Sequence, residues 1–584
     1  MNSIHRTTRL PLSRFVCALC LSALSALLVC ASPARAQDLD ALRPIPVLDG
    51  GRIKPLDTMA RESVRLMTGR ESFRGNDPLA LTLAIHRDSV SWETRPLIHV
   101  PYLSLRTMVG LSGDAQHATP AQVRSSDAYR NFLSVVVVKQ RAAQATREDP
   151  RLSREETAAL ELSHRLRMFD AVASGERFAI LPYKANASAL DHDPWRTVDA
   201  LAGSADPAGS AVFTAWLNIL RASNKEIPAA PAVDALRLAV TLAAGPNYAD
   251  TAVLSREVAY HALHPFRLAW IGYLVALAVL CASLMITSPW VYRAGMGLLI
   301  GCIAWSIFAF AWRCSITGWA PVTNIYETVI WVALVGAVVA VCIELSHGGK
   351  TAAISGAIGA TAAGVVADIM PPEFGAAVQN LAPVLRSNLW LTVHVLTITS
   401  SYAAFLVALV LGNIVLGLFA WKPSAKPAIA LNLKHLYRAV QVGVLLIAAG
   451  SILGGLWADV SWGRFWAWDP KEVWALIILL VYLALLHGRF AGWVGQWGLA
   501  AGAVVAFLTV LMSWYGVNFI LGAGLHSYGF GTGGQLYVGV FTATQLGYIG
   551  VCYLAHRAHI LPRTAYAPAI ESPAMNPNSL PTAK

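Results

Sequence analysis

Charge is scarce in this chain. Only 14% of its 584 residues are Asp, Glu, Lys or Arg, against 55% hydrophobic, and the mean hydropathy is +0.51. That balance excludes an ordinary soluble multidomain protein and points to a polytopic membrane protein. The net charge of +11 does not indicate nucleic-acid binding, because Lys and Arg are spread along the chain and flank apolar runs. Cysteine is scarce too. Cys17, Cys20 and Cys30 lie in the N-terminal apolar run, and Cys281, Cys302, Cys314, Cys342 and Cys552 lie in or beside later ones. The segment between has none and needs no disulfide framework. No C-x-x-C-H occurs, which excludes a covalently attached c-type haem on this chain. Neither a Ser-His-Asp nor a metal-hydrolase motif is present.

The chain reads as four parts. Residues 1–36 carry Arg6, Arg9 and Arg14, an apolar run, and Ala34-Arg35-Ala36, the pattern of a signal peptide or N-terminal anchor. Residues 37–265 are charged and broken by prolines, with no run long enough to cross a bilayer. They read as a mainly helical exported (periplasmic) domain opening with "IPVLDGGRIKPLDTMARE". Residues 266–560 are a series of apolar runs, and 561–584 form a cytoplasmic tail without structural signals. The expected fold class is therefore an all-α polytopic membrane protein of about nine transmembrane helices, preceded by a signal sequence and an exported domain. The spans fall near 267–287, 291–312, 325–345, 350–369, 389–420, 438–457, 472–488, 493–515 and 536–556. With the N-terminal domain outside, Arg293, Lys350, Lys422, Lys426, Lys434, Arg438, Arg489, Arg557 and Arg563 fall on the cytoplasmic side. Only Arg313, Arg386, Arg464 and Lys471 fall opposite, which obeys the positive-inside rule.

Between the sixth and seventh spans lies "WGRFWAWDPKEVW". Trp457, Trp462, Trp466, Trp468 and Trp474 fall within residues 457–474, where the chain-wide frequency of 19 in 584 predicts fewer than one. An interfacial aromatic belt accounts for one or two tryptophans at a span end but not five in one loop. The sequence around Asp469, Pro470 and Glu472 reads as a helix start: an N-cap, proline at the first helical position, and a capping-box acid. The tryptophans before it form a shelf whose indole faces suit a flat apolar ring such as a porphyrin.

A porphyrin shelf needs axial ligands, and imidazole is the usual one. His394, in "NLWLTVHVLTITSSYA", lies near the exported end of the fifth span, and His526, in "YGVNFILGAGLHSYGFG", lies in an exported loop after the eighth. Both belong at the depth of the shelf. His487, in "YLALLHGR", lies at the cytoplasmic end of the seventh span, and His264, with His261 nearby, at the exported mouth of the first. His99, His347, His435, His556 and His559 read as loop or helix-end residues.

"WGRFWAWDPKEVWALIILLVYLALLHGR", "SNLWLTVHVLTITSSYAAF" and "YGVNFILGAGLHSYGFG" resemble the tryptophan-rich motif and flanking histidine segments of the haem-handling proteins of cytochrome c biogenesis. The likeness is to the CcsA/ResC branch of system II. It is specific across residues 388–531 and extends more loosely to the other spans and to "VLDGGRIKPLDTMARE", which resembles the exported extension of some longer CcsA-like proteins. The resemblance implies that His394 and His526 are external axial ligands of haem b held at the tryptophan loop, and that His487 is a transmembrane haem ligand. A ResB/CcsB-like partner then supplies the second transmembrane ligand, with His264 or His261 as the alternative. Arg464 and Lys471 are candidate contacts for the haem propionates, or equally for lipid headgroups.

The implied activity is a cytochrome c haem lyase: haem crosses the membrane and apocytochrome c presents C-x-x-C-H, whose thiols add to the haem vinyl groups. Thiol reductants act upstream. The competing readings are a haem exporter or chaperone and a b-type haem electron-transfer subunit. The latter prefers two histidine pairs at staggered depths, whereas here two candidate ligands share one face. The implied location is the bacterial inner membrane.

Overall fold

The computed structural model describes residues 39–146, 152–182, 195–245, 251–370, 387–521 and 534–560. His526, Arg386, Arg563 and the expected signal and tail segments lie outside the described residues.

The segment before the spans starts as a hairpin. Strands β1 (Pro46–Asp49) and β2 (Arg52–Pro55) pair antiparallel, and Gly50 and Gly51 both take positive φ at the turn, which few residues other than glycine tolerate in succession. Helix α1 (Leu56–Thr68) follows directly. Helices α2 (Pro78–Arg87), α3 (Arg154–Ser174), α4 (Pro207–Ser223) and α5 (Ala229–Ala244) make up much of the rest. Their starts are encoded locally. Asp77 and Asp206 each cap a helix with proline in its first turn, and Ser153 with Glu156 forms a capping box. Two apolar clusters result, one around Trp216, Phe178 and Met59 and one around Phe169, Val64 and Met67. Helix α1 contributes to both and so ties them together.

Among the described residues, nine helical segments are long and apolar enough to cross a membrane, which matches the number of spans expected. Helix α6 (Thr251–Leu263) leads into α7 (Pro265–Met285), followed by α8 (Pro289–Thr317), α9 (Ile325–His347) and α10 (Thr351–Ile369). Then come α11 (Leu396–Trp421), α12 (Lys426–Trp462), α13 (Pro470–Phe490), α14 (Gln496–Leu511) and α15 (Gln535–Ile560). The sixth span is longer than hydropathy predicts, because the polar turns around Lys434 and Arg438 continue as one helix through Trp462. Arg313, expected in an exported loop, lies inside α8. It is 2% exposed and pairs at 2.6 Å with Glu327. Its charge is neutralised within the bundle and adds nothing to the loop count.

Lipid offers little hydrophobic drive for helix association, so close packing must supply it. Gly443 of α12 lies directly against the Phe405 ring of α11 with no space for a Cβ. That ring stacks on Tyr482 of α13, centroids 3.8 Å apart.

The N-terminal segment is fastened to the bundle by polar contacts. Arg52 Nη1 and Nη2 donate to Glu257 Oε2 and Oε1 at 3.0 and 2.7 Å, and Thr58 Oγ1 donates to Glu257 Oε1 at 2.9 Å. Glu257, on α6, is 1% exposed. Trp312 Nε1 on α8 donates to the Arg256 carbonyl at 3.2 Å.

Candidate functional site

The tryptophan loop is a short rigid bridge between α12 and α13. Gly463 ends α12 in the left-handed conformation, its N–H returning to the Asp459 carbonyl. At the other end Asp469 caps α13, with Oδ1 accepting the Lys471 N–H at 3.0 Å. Glu472 completes the box, and its Oε2 accepts from the backbone N–H of Ala467 at 2.8 Å and of Asp469 at 3.2 Å. These two bonds bracket Trp468, which has φ +59. That conformation is unfavourable for a bulky side chain and persists only where its surroundings impose it. The result is an indole 71% exposed and edge-on to Trp466, with ring centroids 6.0 Å apart. Trp462, Trp466 and Trp474 are half-buried, and Arg464 is exposed.

His394 is brought to this loop. It sits in a π-helical turn, Leu391–Val395, at the start of α11, a rare geometry that recurs at functional sites. Its Nδ1 lies 2.8 Å from the Gly450 carbonyl of α12. A carbonyl can only accept, so Nδ1 carries the proton and Nε2 the lone pair, the tautomer suited to metal ligation through Nε2. The ring is 5.7 Å from Trp457, tilted by 62°.

Glycines make this approach possible. A Cβ on Gly454 would lie 2.7 Å from His394 Cε1, one on Gly450 would lie 2.8 Å from Ile398 Cα, and one on Gly455 would overlap the Phe465 ring. Phe465, 46% exposed, therefore extends the aromatic surface. The signal for these positions was the small-residue stretch "AAGSILGGLW" before the first tryptophan. A second π-helical segment, Met512–Leu521, leads toward His526, which lies outside the described residues.

The other candidates lie elsewhere. His487 is exposed near the far end of α13, with Nδ1 2.8 Å from the Leu483 carbonyl. Seventeen residues of helix separate it from Pro470, about 25 Å along the axis. His264 and His261 lie at the α6–α7 junction beside the N-terminal segment, where His264 Nε2 is 3.8 Å from Glu71 and His261 Nε2 is 3.8 Å from Glu257. His435, expected as a helix-end residue, is fully buried beside His347, and neither of its ring nitrogens is hydrogen-bonded.

Residues 322–526 match the family model described as "Cytochrome C assembly protein", a stretch that begins just before α9 and ends at His526. The chain is 34% identical over 247 residues to "Cytochrome c biogenesis protein CcsA" of Prochlorococcus marinus (strain MIT 9303), covering 36% of this chain and 77% of that protein. It is 32% identical over 287 residues to the protein of the same name from Parasynechococcus marenigrum, covering 44% and 86%. It is also 27% identical over 504 residues to "Protein NrfI" of Wolinella succinogenes, covering 82% of this chain. The aligned region covers 53% of NrfI, about half its length. Residues 266–584 number fewer than 504, so the likeness to NrfI extends into the segment before the spans. This is a multi-pass membrane protein of the cytochrome c biogenesis class, and it belongs to the CcsA family.

Proposed function

We propose that this chain handles haem for cytochrome c assembly and, with a ResB/CcsB-like partner, forms the thioether bonds that join haem to C-x-x-C-H of an apocytochrome. In this reading the protein lies in the bacterial inner membrane. Residues 37–265 and the tryptophan loop face the periplasm, and the C-terminus faces the cytoplasm. Haem b is cargo and substrate. His487 receives it at the cytoplasmic end of α13, where its exposure leaves access for a second ligand from the partner. The alternative ligands, His264 and His261, lie at the opposite mouth of the bundle and are engaged near Glu71 and Glu257, which favours the partner.

His394 and His526 then hold the iron at the shelf, while Trp457, Trp462, Trp466, Trp468 and Trp474 carry the ring, with Arg464 and Lys471 near the propionates. Each substrate thiol adds across a vinyl C=C. Sulfur bonds to one carbon, the thiol proton ends on the other, and no group leaves. The protein needs no nucleophile of its own; it orients the ring edge and keeps water out.

The observation that carries the proposal is the Nδ1–H of His394 held by the Gly450 carbonyl beside Trp457. The test is the reduced and oxidised absorption spectrum of the purified protein beside His394→Ala and His526→Ala. A b-type spectrum weakened in both variants and restored by imidazole supports the ligation. Unchanged spectra in both variants would overturn it. Coexpression with a C-x-x-C-H substrate separates a lyase, which yields thioether-linked product, from an exporter, which does not.

A further inference from the structure

A cavity of about 1370 Å³ lies between the exported segment and the membrane mouth of α6, α7 and α10. It is set apart from the tryptophan loop, and the function proposed above makes no use of it. Its walls carry eight Arg and Lys side chains against five Asp and Glu. Most of these cations are neutralised: Arg52 by Glu257, Lys54 by Asp49 and Glu62, Arg65 by Glu71, and Arg267 by Asp368. Arg61 has only a share of Asp57, which also pairs with Arg43.

Arg70 and Arg74 are different. Neither has a carboxylate partner among the described residues, and both are exposed on the loop after α1. Arg74 has φ +51, with its guanidinium 5.2 Å from the Phe73 ring centroid.

The floor of the cavity has other chemistry. His264 is the N-cap of α7, itself in the left-handed conformation (φ +47), and Pro265, Phe266 and Arg267 of the first turn line the cavity. The positive end of a 21-residue membrane helix therefore opens into it. His261 also lines the cavity, its Nε2 3.8 Å from Glu257 Oε1. Phe266 and Tyr326 give apolar surface where the first span begins. A ligand that satisfies roof and floor together is anionic at one end and apolar at the other.

We infer that this cavity binds the anionic head of a membrane-borne amphiphile, its charged groups between Arg70, Arg74 and the α7 N-terminus and its apolar body against Phe266. Two sources carry that chemistry: a porphyrin with two carboxylates, or an anionic phospholipid. The porphyrin source rests on the haem reading above, and the lipid source does not.

The experiment uses the full-length protein in detergent and Arg70→Ala/Arg74→Ala, whose folding is checked by thermal unfolding because both residues are exposed. The probes are metal-free mesoporphyrin beside its dimethyl ester, followed by fluorescence, and nanodiscs of phosphatidylglycerol beside phosphatidylcholine. Without iron, mesoporphyrin makes no axial bond at the shelf, so His394→Ala serves as the control. At least one anionic probe is expected to bind better than its uncharged counterpart. The double variant weakens that binding about tenfold or more, added salt weakens it further, and His394→Ala leaves it unchanged. Which probe responds identifies the source. The inference is overturned if neither anionic probe is preferred, or if the double variant binds within about twofold of the wild type. An unaltered haem spectrum in His394→Ala would instead remove the shelf assignment and leave the lipid arm standing.

Discussion

The N-terminal segment and the membrane bundle both have apolar cores, but they are fastened by different means. The segment is stitched together and fastened down by charge: Arg43 holds Asp40, Asp57 and Asp77, Asp49 is shared by Lys54 and Arg177, and Arg52 reaches across to Glu257. The bundle is packed by the removal of side chains, with Gly443 under Phe405, Gly454 under His394 and Gly455 under Phe465. One buried ion pair, Arg313–Glu327, breaks the pattern inside the bundle, and it lies close to the seam, with Arg313 Nη1 3.4 Å from Tyr260 Oη of α6. Several of the segment's pairs are buried, with the Asp57 and Glu257 side chains 0% and 1% exposed, and a buried carboxylate needs its cationic partner. Lipid offers no hydrogen-bonding partner, so the bundle relies on close backbones and on bonds between helices, such as Trp331 Nε1 to Ser400 Oγ at 3.1 Å.

The largest test of this contrast is Arg52→Ala. It leaves Glu257 buried without its bidentate partner, a change that costs about 3–5 kcal/mol when a buried pair loses one member. The segment should then detach before the bundle unfolds, read as early proteolysis between residues 39 and 245 while the membrane helices stay protected. If the whole chain unfolds in a single step, the two regions do not have separate fastenings. Gly443→Ala comes next, forcing α11 and α12 apart for roughly 1–3 kcal/mol. Its effect on thermal unfolding in detergent should be the same at low and high salt.

Asp469→Ala is smaller, about 1 kcal/mol for a lost N-cap. It loosens the first turn of α13, whose Glu472 holds the backbone on either side of Trp468, so a change in tryptophan emission larger than the change in stability is expected. The smallest effect is pH-dependent and confined to the N-terminal segment. Burial, aided by Arg165 and His117, lowers the pKa of His99 from 6.5 to about 4. Between those values the unfolded chain binds the proton and the folded one does not, so stability falls as pH drops from 6.5 toward 4. His99→Gln should flatten that slope, measured as the unfolding midpoint across the same range.

The sequence made the nine spans legible because each needs only a local run of apolar residues. The start of α13 was legible for a similar reason, since Asp469, Pro470 and Glu472 lie within four residues of one another. What joins distant segments was not. Nothing near Arg313 marks it as the partner of Glu327, and nothing near Arg52 points to Glu257 some 200 residues away. The histidines divide in the same way. His394 was singled out by its depth in a span, while the carbonyl that sets its tautomer belongs to another helix. His435 shows the converse: its sequence neighbours are polar, yet the bundle closes over it. The π-helical turn at Leu391–Val395 left no compositional trace, being a matter of one extra residue per turn.

One feature of α12 sets a tolerance. The carbonyl that orients His394 and the glycine from which the tryptophan loop departs, Gly450 and Gly463, belong to a single unbroken helix, about 20 Å apart along its axis. Any tilt or slide of that helix carries both ends with it, like two jaws mounted on one beam. The gap between imidazole and shelf is thus gauged by the length of a rigid rod, and bilayer fluctuations that reposition the rod leave the gauge unchanged.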